Sequence, residues 1–209
     1  MTAKTLFVVL LTIFLFNEIT AKPMNTQNIN PVKQDTATFG TGCFWCSEAI
    51  FSMLDGVLSV TPGYCGGTEP DPTYELICTG TTDYAEVVQI IYDPEKISYR
   101  ELLEIFWKTH DPTTLDRQGA DVGRQYRSVI FYHNEAQKKE AEYYKDQLEK
   151  SKIWKNPIVT EVSKFERFYP AEDYHKDYYK NNPANAYCNF VITPKVEKFK
   201  KIFSDKLAK

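Results

Sequence analysis

The sequence lacks the features that would commit a chain to nucleic acid, to a bilayer or to a structural metal. Its 209 residues hold 25 Lys+Arg against 28 Asp+Glu, a formal net charge of -3, which gives no reason to expect a partner rich in phosphate or an anionic membrane surface. Only three histidines occur (His110, His133, His175), and no second Cys-x-x-Cys or His-x-x-x-His motif follows the first Cys pair. A four-ligand zinc site is therefore not expected. No internal repeat or low-complexity block divides the chain, so its 43% hydrophobic composition predicts one domain with a sizeable core. The five cysteines are too few and too scattered to form a disulfide scaffold in a chain of this length.

No apolar run is long enough to span a bilayer comfortably. Leu6 to Phe16, preceded by Lys4, is of secretory-signal length, and Ile19-Thr20-Ala21 offers a small residue at the cut, although Ile19 is larger than that position usually takes. Residues 1–21 are thus expected to be a signal peptide, with an uncleaved N-terminal anchor as the alternative. Residues 22–34, rich in Asn, Gln and Pro, form a flexible leader, and 35–209 form a single catalytic domain. Export to an oxidising compartment favours disulfides, and an odd cysteine count leaves one thiol over. A catalytic pair with bystanders fits that count.

The elements follow from punctuation and periodicity. Thr36–Phe39 alternates as a short strand leading into Gly40-Thr41-Gly42. Helical spacing of Phe44, Ile50, Phe51 and Leu54 follows, closed by Asp55-Gly56. Val57–Thr61 is predicted as a strand stopped by Pro62-Gly63, and Tyr64–Thr73, with two prolines, as a long loop. Thr73–Cys78 is a short helix, and Ala85–Tyr92, β-branched and almost continuously apolar, a central strand. Ser98 and Glu101 form a capping box for a helix ending before His110-Asp111-Pro112. Thr113–Arg127 is a second long loop, Ser128–Tyr132 a strand, and Asn134 to about Lys150 a charged helix. Val159–Phe165 is another strand, Ala171–Lys180 a helix, and Pro194 opens a final amphipathic helix. Together these predict an α+β two-layer sandwich, a mixed central β-sheet covered by helices, with long functional loops.

The chemistry centres on Gly42-Cys43-Phe44-Trp45-Cys46. A cysteine at a helix N-terminus meets the positive end of the macrodipole, which favours a nucleophilic thiolate at Cys43. Cys46 can resolve an oxidised Cys43 or pair with it structurally. Phe44 and Trp45 would crowd a thioredoxin-like exchange site and suit the walls of an apolar pocket, although a helical Phe is often plain core. Glu86 interrupts an apolar strand: it is either a desolvated general acid or a strand-end carboxylate in water. Tyr74, Asp121 and Tyr126 lie in the two long loops, where phenols and a carboxylate could bind a polar S=O group; with 14 tyrosines present, packing is the ordinary fate of any one.

These residues, with Gly63-Tyr64, Gly66-Gly67, Pro72-Thr73-Tyr74, Tyr92-Asp93-Pro94, Phe106-Trp107, His110-Asp111-Pro112, Gln125-Tyr126-Arg127-Ser128, the run Phe168 to His175 and Tyr187-Cys188, resemble peptide methionine sulfoxide reductase A. The likeness runs from about Thr36 to Lys206. It implies a ferredoxin-like plait, Cys43 as the nucleophile that attacks the sulfoxide sulfur and becomes a sulfenic acid, and Glu86 as the acid for the sulfoxide oxygen. Tyr74, Asp121 and Tyr126 would bind that oxygen directly or through water, and Phe44 and Trp45 would receive the ε-methyl group. The implied substrate is the S epimer, free or in proteins, since each epimer of methionine sulfoxide has its own reductase. Thioredoxin or a similar exported dithiol donor would recycle the enzyme, expected to act as a monomer without metal or organic cofactor. Many members carry Gly at the Cys46 position and resolve with a C-terminal cysteine matched here by Cys188, and a Gly-His pair usually stands where this chain has Asp83-Tyr84. Both Cys46 and Cys188 are candidate resolving thiols, proximity favouring Cys46.

Two other readings compete. Cys43, His175 and Asn181, Asn182 or Asn185 stand in the order of a papain-like cysteine hydrolase, but the residues around Cys43 do not match that signature. A non-enzymatic exported domain locked by a Cys43–Cys46 disulfide is the other.

Overall fold

The computed structural model describes residues 33–208. The proposed signal and most of the leader lie outside the described residues. In chain order the elements are β1 (Asp35–Thr41), α1 (Phe44–Phe51), β2 (Val57–Cys65), α2 (Tyr74–Cys78), β3 (Ala85–Tyr92) and α3 (Tyr99–Thr109). A two-strand hairpin, β4 (Arg117–Gln118) and β5 (Asp121–Val122), then precedes β6 (Ser128–Tyr132), α4 (Glu135–Ser151), β7 (Glu161–Lys164) and β8 (Phe168–Pro170). The chain ends with α5 (Tyr178–Asn181) and α6 (Thr193–Ile202).

Six strands form one sheet in the order β7-β6-β1-β3-β2-β8. β6 and β7 run parallel and the remaining neighbours antiparallel. The protein is thus α+β with a mixed central sheet. Strand periodicity decides which side chain meets which layer. Val88, Ile90 and Tyr92 of β3, Phe39 of β1 and Ile130 of β6 pack in the main core with Phe51 of α1, Phe106 of α3, Ala141 of α4 and Phe199 of α6. Ala85, Val87, Val129 and Phe131, one position out of phase, build a smaller cluster with Cys65 on the opposite face. β3 is buried on both faces along this stretch, hence its near-continuous apolar sequence.

The capping box of α3 is present: Ser98 Oγ accepts from the Glu101 N–H at 3.3 Å and Glu101 Oε2 accepts from the Ser98 N–H at 2.9 Å. Asn134 caps α4 by accepting from Gln137 N–H at 2.9 Å.

Several boundaries differ from the sequence expectations. β2 continues through Pro62 to Cys65. The Pro62 carbonyl accepts from Ala171 N–H at 2.9 Å, so the missing donor also faces the β8 side and costs the β2–β3 ladder nothing. α1 stops at Phe51, and Gly56, at φ +89°, closes the following turn rather than the helix itself. The expected helix Ala171–Lys180 is broken into a 3-10 turn at Asp173–His175 and the short α5, because Asp177 sits at φ +53° between them. β8 was missed: three residues are too few for an alternation to show.

Candidate active site

The tip of β1 turns through Gly42, at φ +93°, where a Cβ would strike the Gln118 side chain. Only glycine fits both conditions. The turn delivers Cys43 as the N-cap of α1, its carbonyl accepting from Cys46 N–H at 3.1 Å. One helical turn on stands Cys46, its thiol close enough to that of Cys43 for the two to perturb each other, and both are free thiols in this structure.

Beneath the start of α1 lies Glu86. Strand phase turns it toward the helices alongside Val88 and Ile90, and it is 1% exposed. Its Oε2 accepts from the Phe44 N–H at 3.0 Å, and Oε1 has no hydrogen-bond partner among the described residues. Burial pushes its carboxyl up to about 8, against the Phe44 bond and with help from the charge on Asp121. The water-exposed alternative for Glu86 is therefore wrong. Asp83 and Tyr84, the departures beside it, are used elsewhere: Asp83 pairs with Arg124 at 2.6 Å, and the Tyr84 hydroxyl donates to the Glu69 carbonyl.

The thiols do not behave as a bare helix N-terminus would predict. Burial pushes Cys43 well up, the hydrogen bond with Cys46 and the nearby Glu86 adding to it. Cys46 is lowered, first by the hydrogen bond from Cys43 and, against its own burial, by the ammonium of Lys195, whose Nζ stands 3.8 Å from its Sγ. The physical reason is local: the first N–H of α1 is spent on Glu86, and both thiols are buried. Of the two thiols, Cys46 is thus the one whose surroundings favour the thiolate.

The β4–β5 hairpin, pinned by Gln118 Oε1 to the Asp111 N–H at 3.1 Å, carries Asp121 to the site. Asp121 Oδ2 accepts a 2.6 Å bond from the Tyr187 hydroxyl, which also contacts both thiols. Tyr126 follows Gly123 and feels the charges of Glu86 and Cys43. Tyr74 opens α2, its N–H held by Glu172 Oε1 at 2.8 Å and its hydroxyl near the Cys78 thiol. Burial pushes all three phenols up, keeping them protonated as donors. Cys43, Cys46, Glu86, Tyr74, Asp121 and Tyr126 thus converge on one place.

An aromatic wall stands beside the thiols. Trp45 stacks on Tyr178, centroids 3.6 Å apart and 5° from parallel, with Tyr187 edge-on at 5.9 Å. Phe44 is 1% exposed and belongs to the core, so Trp45, half-buried, is the open member of the pair. Glu48, 4% exposed, accepts from the Asp177 N–H at 2.9 Å and ties α5 to α1; burial lifts it to about 7. His175 Nδ1 accepts the Trp45 indole N–H at 3.0 Å, and Nε2 has no hydrogen-bond partner among the described residues. Neither nitrogen bonds a cysteine, and burial lowers its pKa. A papain-like Cys43/His175 couple is not what this site holds.

Cys188, the other candidate resolving thiol, is closed off from the surface. It is fully buried, its N–H accepted by Asn185 Oδ1 at 3.3 Å, at the start of a π-helical turn, Cys188–Ile192, that runs into α6. The sequence pattern assigns no site role to Lys195, Glu48 or Tyr178, and places Glu172 only within the matching run Phe168 to His175. Of the first three, Glu48 has a local signal, a charge inside the apolar run of α1. Among the described residues no cluster of three or more His, Cys, Asp or Glu side chains is arranged to hold a metal ion.

A family model described as peptide methionine sulfoxide reductase matches residues 35–207. The chain belongs to that family. The reductase named MsrA from Saccharolobus solfataricus is 58% identical over 173 residues, covering 83% of this chain and 97% of that protein. MsrA from Polynucleobacter asymbioticus is 47% identical over 192 residues, 92% of this chain and 97% of its own. Among solved structures, the reduced form of Mxr1 from Saccharomyces cerevisiae superposes with a TM-score of 0.70 at 38% identity, covering 78% of this chain and 94% of that one. Mxr1 in complex with Trx2 matches at 0.51 and 30% identity, covering 74% and 91%. As a member of the methionine sulfoxide reductase family, the chain is an oxidoreductase that reduces methionine sulfoxide.

Proposed function

We propose that this chain reduces the S epimer of methionine sulfoxide, free or in proteins, through Cys43, Glu86 and Cys46. The observation that carries the reading is a carboxyl kept protonated at neutral pH and bonded to the amide next to Cys43. A sulfoxide oxygen leaves only once protonated, so a sulfur nucleophile needs such an acid beside it. The Cys43 proton passes to Cys46 as the Cys43 sulfur attacks the sulfoxide sulfur; Glu86 gives its proton to the oxygen, with Tyr74, Tyr126 and Asp121 orienting it. In the resulting adduct the hydroxyl moves to Cys43 Sγ: the substrate S–O bond and the transient bond between Cys43 Sγ and the substrate sulfur both break, a Cys43 S–O bond forms to give the sulfenic acid, and methionine leaves reduced by two electrons. Trp45, with Phe44 behind it, receives the ε-methyl group.

Cys46 is then the resolving thiol. Its sulfur attacks Cys43, the S–O bond breaks, water leaves and a disulfide forms. Proximity and its lowered pKa favour it over the buried Cys188. Thioredoxin or a similar dithiol donor reopens the disulfide; Mxr1, 30% identical over most of this chain, has been captured with Trx2. We further propose that the signal exports the protein, that its donor is exported too, and that the single chain is the functional unit. The strand order β6-β1-β3-β2, with α1 and α3 as crossovers, supports reading the core as a ferredoxin-like plait.

The test is turnover of each sulfoxide epimer driven by dithiothreitol or by thioredoxin. Cys43→Ser should be inactive with both donors. Cys46→Ser should keep dithiothreitol turnover and lose thioredoxin turnover, since a small dithiol bypasses resolution. Thioredoxin turnover that survives in Cys46→Ser and fails in Cys188→Ser would overturn the assignment of the resolver.

A further inference from the structure

α6 carries four lysines on its first nine residues, Lys195, Lys198, Lys200 and Lys201, and one of them turns inward. Lys200 pairs with Glu197 at 3.2 Å on the surface. Lys195 is half-buried and has no carboxylate partner among the described residues. Its Nζ instead lies 3.8 Å from Cys46 Sγ. An ammonium withdrawn from water needs an opposite charge close by. The other groups near Cys46 are Cys43 on the same helix, Asp121 on β5, Glu86 on β3, and Tyr187 and Cys188 before α6; none of them is a cation. Among the described residues, Lys195 is the one positive charge facing this sulfur.

We infer that Lys195 is the electrostatic partner of Cys46 in disulfide exchange, holding the resolving sulfur as a thiolate when it attacks and again when it leaves. The inference rests on Cys46 being the resolver. In the forward step the proton that Cys46 took from Cys43 passes to the sulfenic oxygen as the Cys46 thiolate, held by Lys195, bonds to Cys43 Sγ; the S–O bond of the sulfenic acid breaks and water leaves. In the return step a donor thiolate bonds to Cys43 Sγ and the S–S bond releases Cys46 as a thiolate beside Lys195. The donor's second thiol then attacks the mixed disulfide, so the donor is oxidised by two electrons and Cys43 is restored.

The size of the effect follows from thiol chemistry. Lowering a thiol pKa by one unit from above ambient pH raises the thiolate fraction about tenfold but weakens each thiolate about threefold, a net gain of about threefold in attack. The lower pKa also makes Cys46 the better leaving group in the return step.

The experiment is a single turnover: reduced full-length protein is mixed with one equivalent of methionine sulfoxide, quenched over time, and its disulfides mapped by mass, from pH 6 to pH 9. In Lys195→Met the Cys43–Cys46 disulfide should form about threefold more slowly at pH 7, with its pH midpoint moved upward. Lys195→Arg should restore both, which a merely structural role for the lysine stem would not require. A wild-type rate and midpoint in Lys195→Met would overturn the inference. So would a Cys43–Cys188 disulfide in the wild-type protein, an outcome that instead marks failure of the Cys46 assignment.

Discussion

Glu86 decides the chemistry at the scale of single residues, and its environment gives it a testable pH signature. Its pKa of about 8 keeps it a proton donor at neutral pH. Dithiothreitol-driven turnover should therefore decline as pH rises through about 8. Glu86→Gln keeps an acceptor for the Phe44 N–H but no acidic proton, and should cost on the order of 100- to 1000-fold in turnover. A Gln variant within threefold of wild type would remove Glu86 from the mechanism. The residue types of the site could be read from the sequence because sulfoxide chemistry requires them: a thiol at a helix start, and an acid in an apolar strand. The charge order within the Cys43–Cys46 pair could not. It depends on Lys195 and Tyr187, which lie 149 and 141 positions beyond Cys46 and meet it only after folding.

Among elements, those with strong local signals were legible and those formed by tertiary contact were not. β3, β6 and α3 match their sequence boundaries because two-sided burial and a capping box are written in consecutive residues. β8 and the broken α5 segment depend on distant partners: β8 exists only by pairing with Gly63–Cys65, and α5 is tied by Glu48. Gly63 is needed because a Cβ there would strike the Phe168 ring and the Tyr169 carbonyl. Gly63→Ala should dislodge β8, lower stability by about 1–3 kcal/mol and weaken substrate binding through Glu172, which follows β8 and holds Tyr64 and Tyr74. Ser98→Ala removes the α3 cap and should cost about 1 kcal/mol in urea denaturation. Its turnover should be unchanged, since no site residue lies on α3. Loss of activity without loss of stability would contradict that separation.

For the whole molecule, the site places a burden on the fold. Glu86 and Glu48 have native pKa values of about 8 and about 7, both raised from 4.5. The native state therefore holds protons that the unfolded state has already lost. Their contribution to stability is fully present below about pH 4.5 and is lost as pH rises through 7 to 8. Wild type should lose about 6 kcal/mol between pH 5 and pH 8.5 from this source, the larger part from Glu86, and Glu86→Gln should lose less. The variant would then be the more stable protein above pH 8 and the poorer enzyme, a trade typical of active sites. Parallel stability curves for the two proteins would show that Glu86 is not buried in the neutral form.

The most direct measurement is a reductant-free single turnover of the pre-reduced protein with methionine S-sulfoxide. One methionine per chain should be released together with one Cys43–Cys46 disulfide, the R epimer should give none, and Cys43→Ser should release nothing. Methionine released by Cys43→Ser, or equal release from the two epimers, would contradict the account.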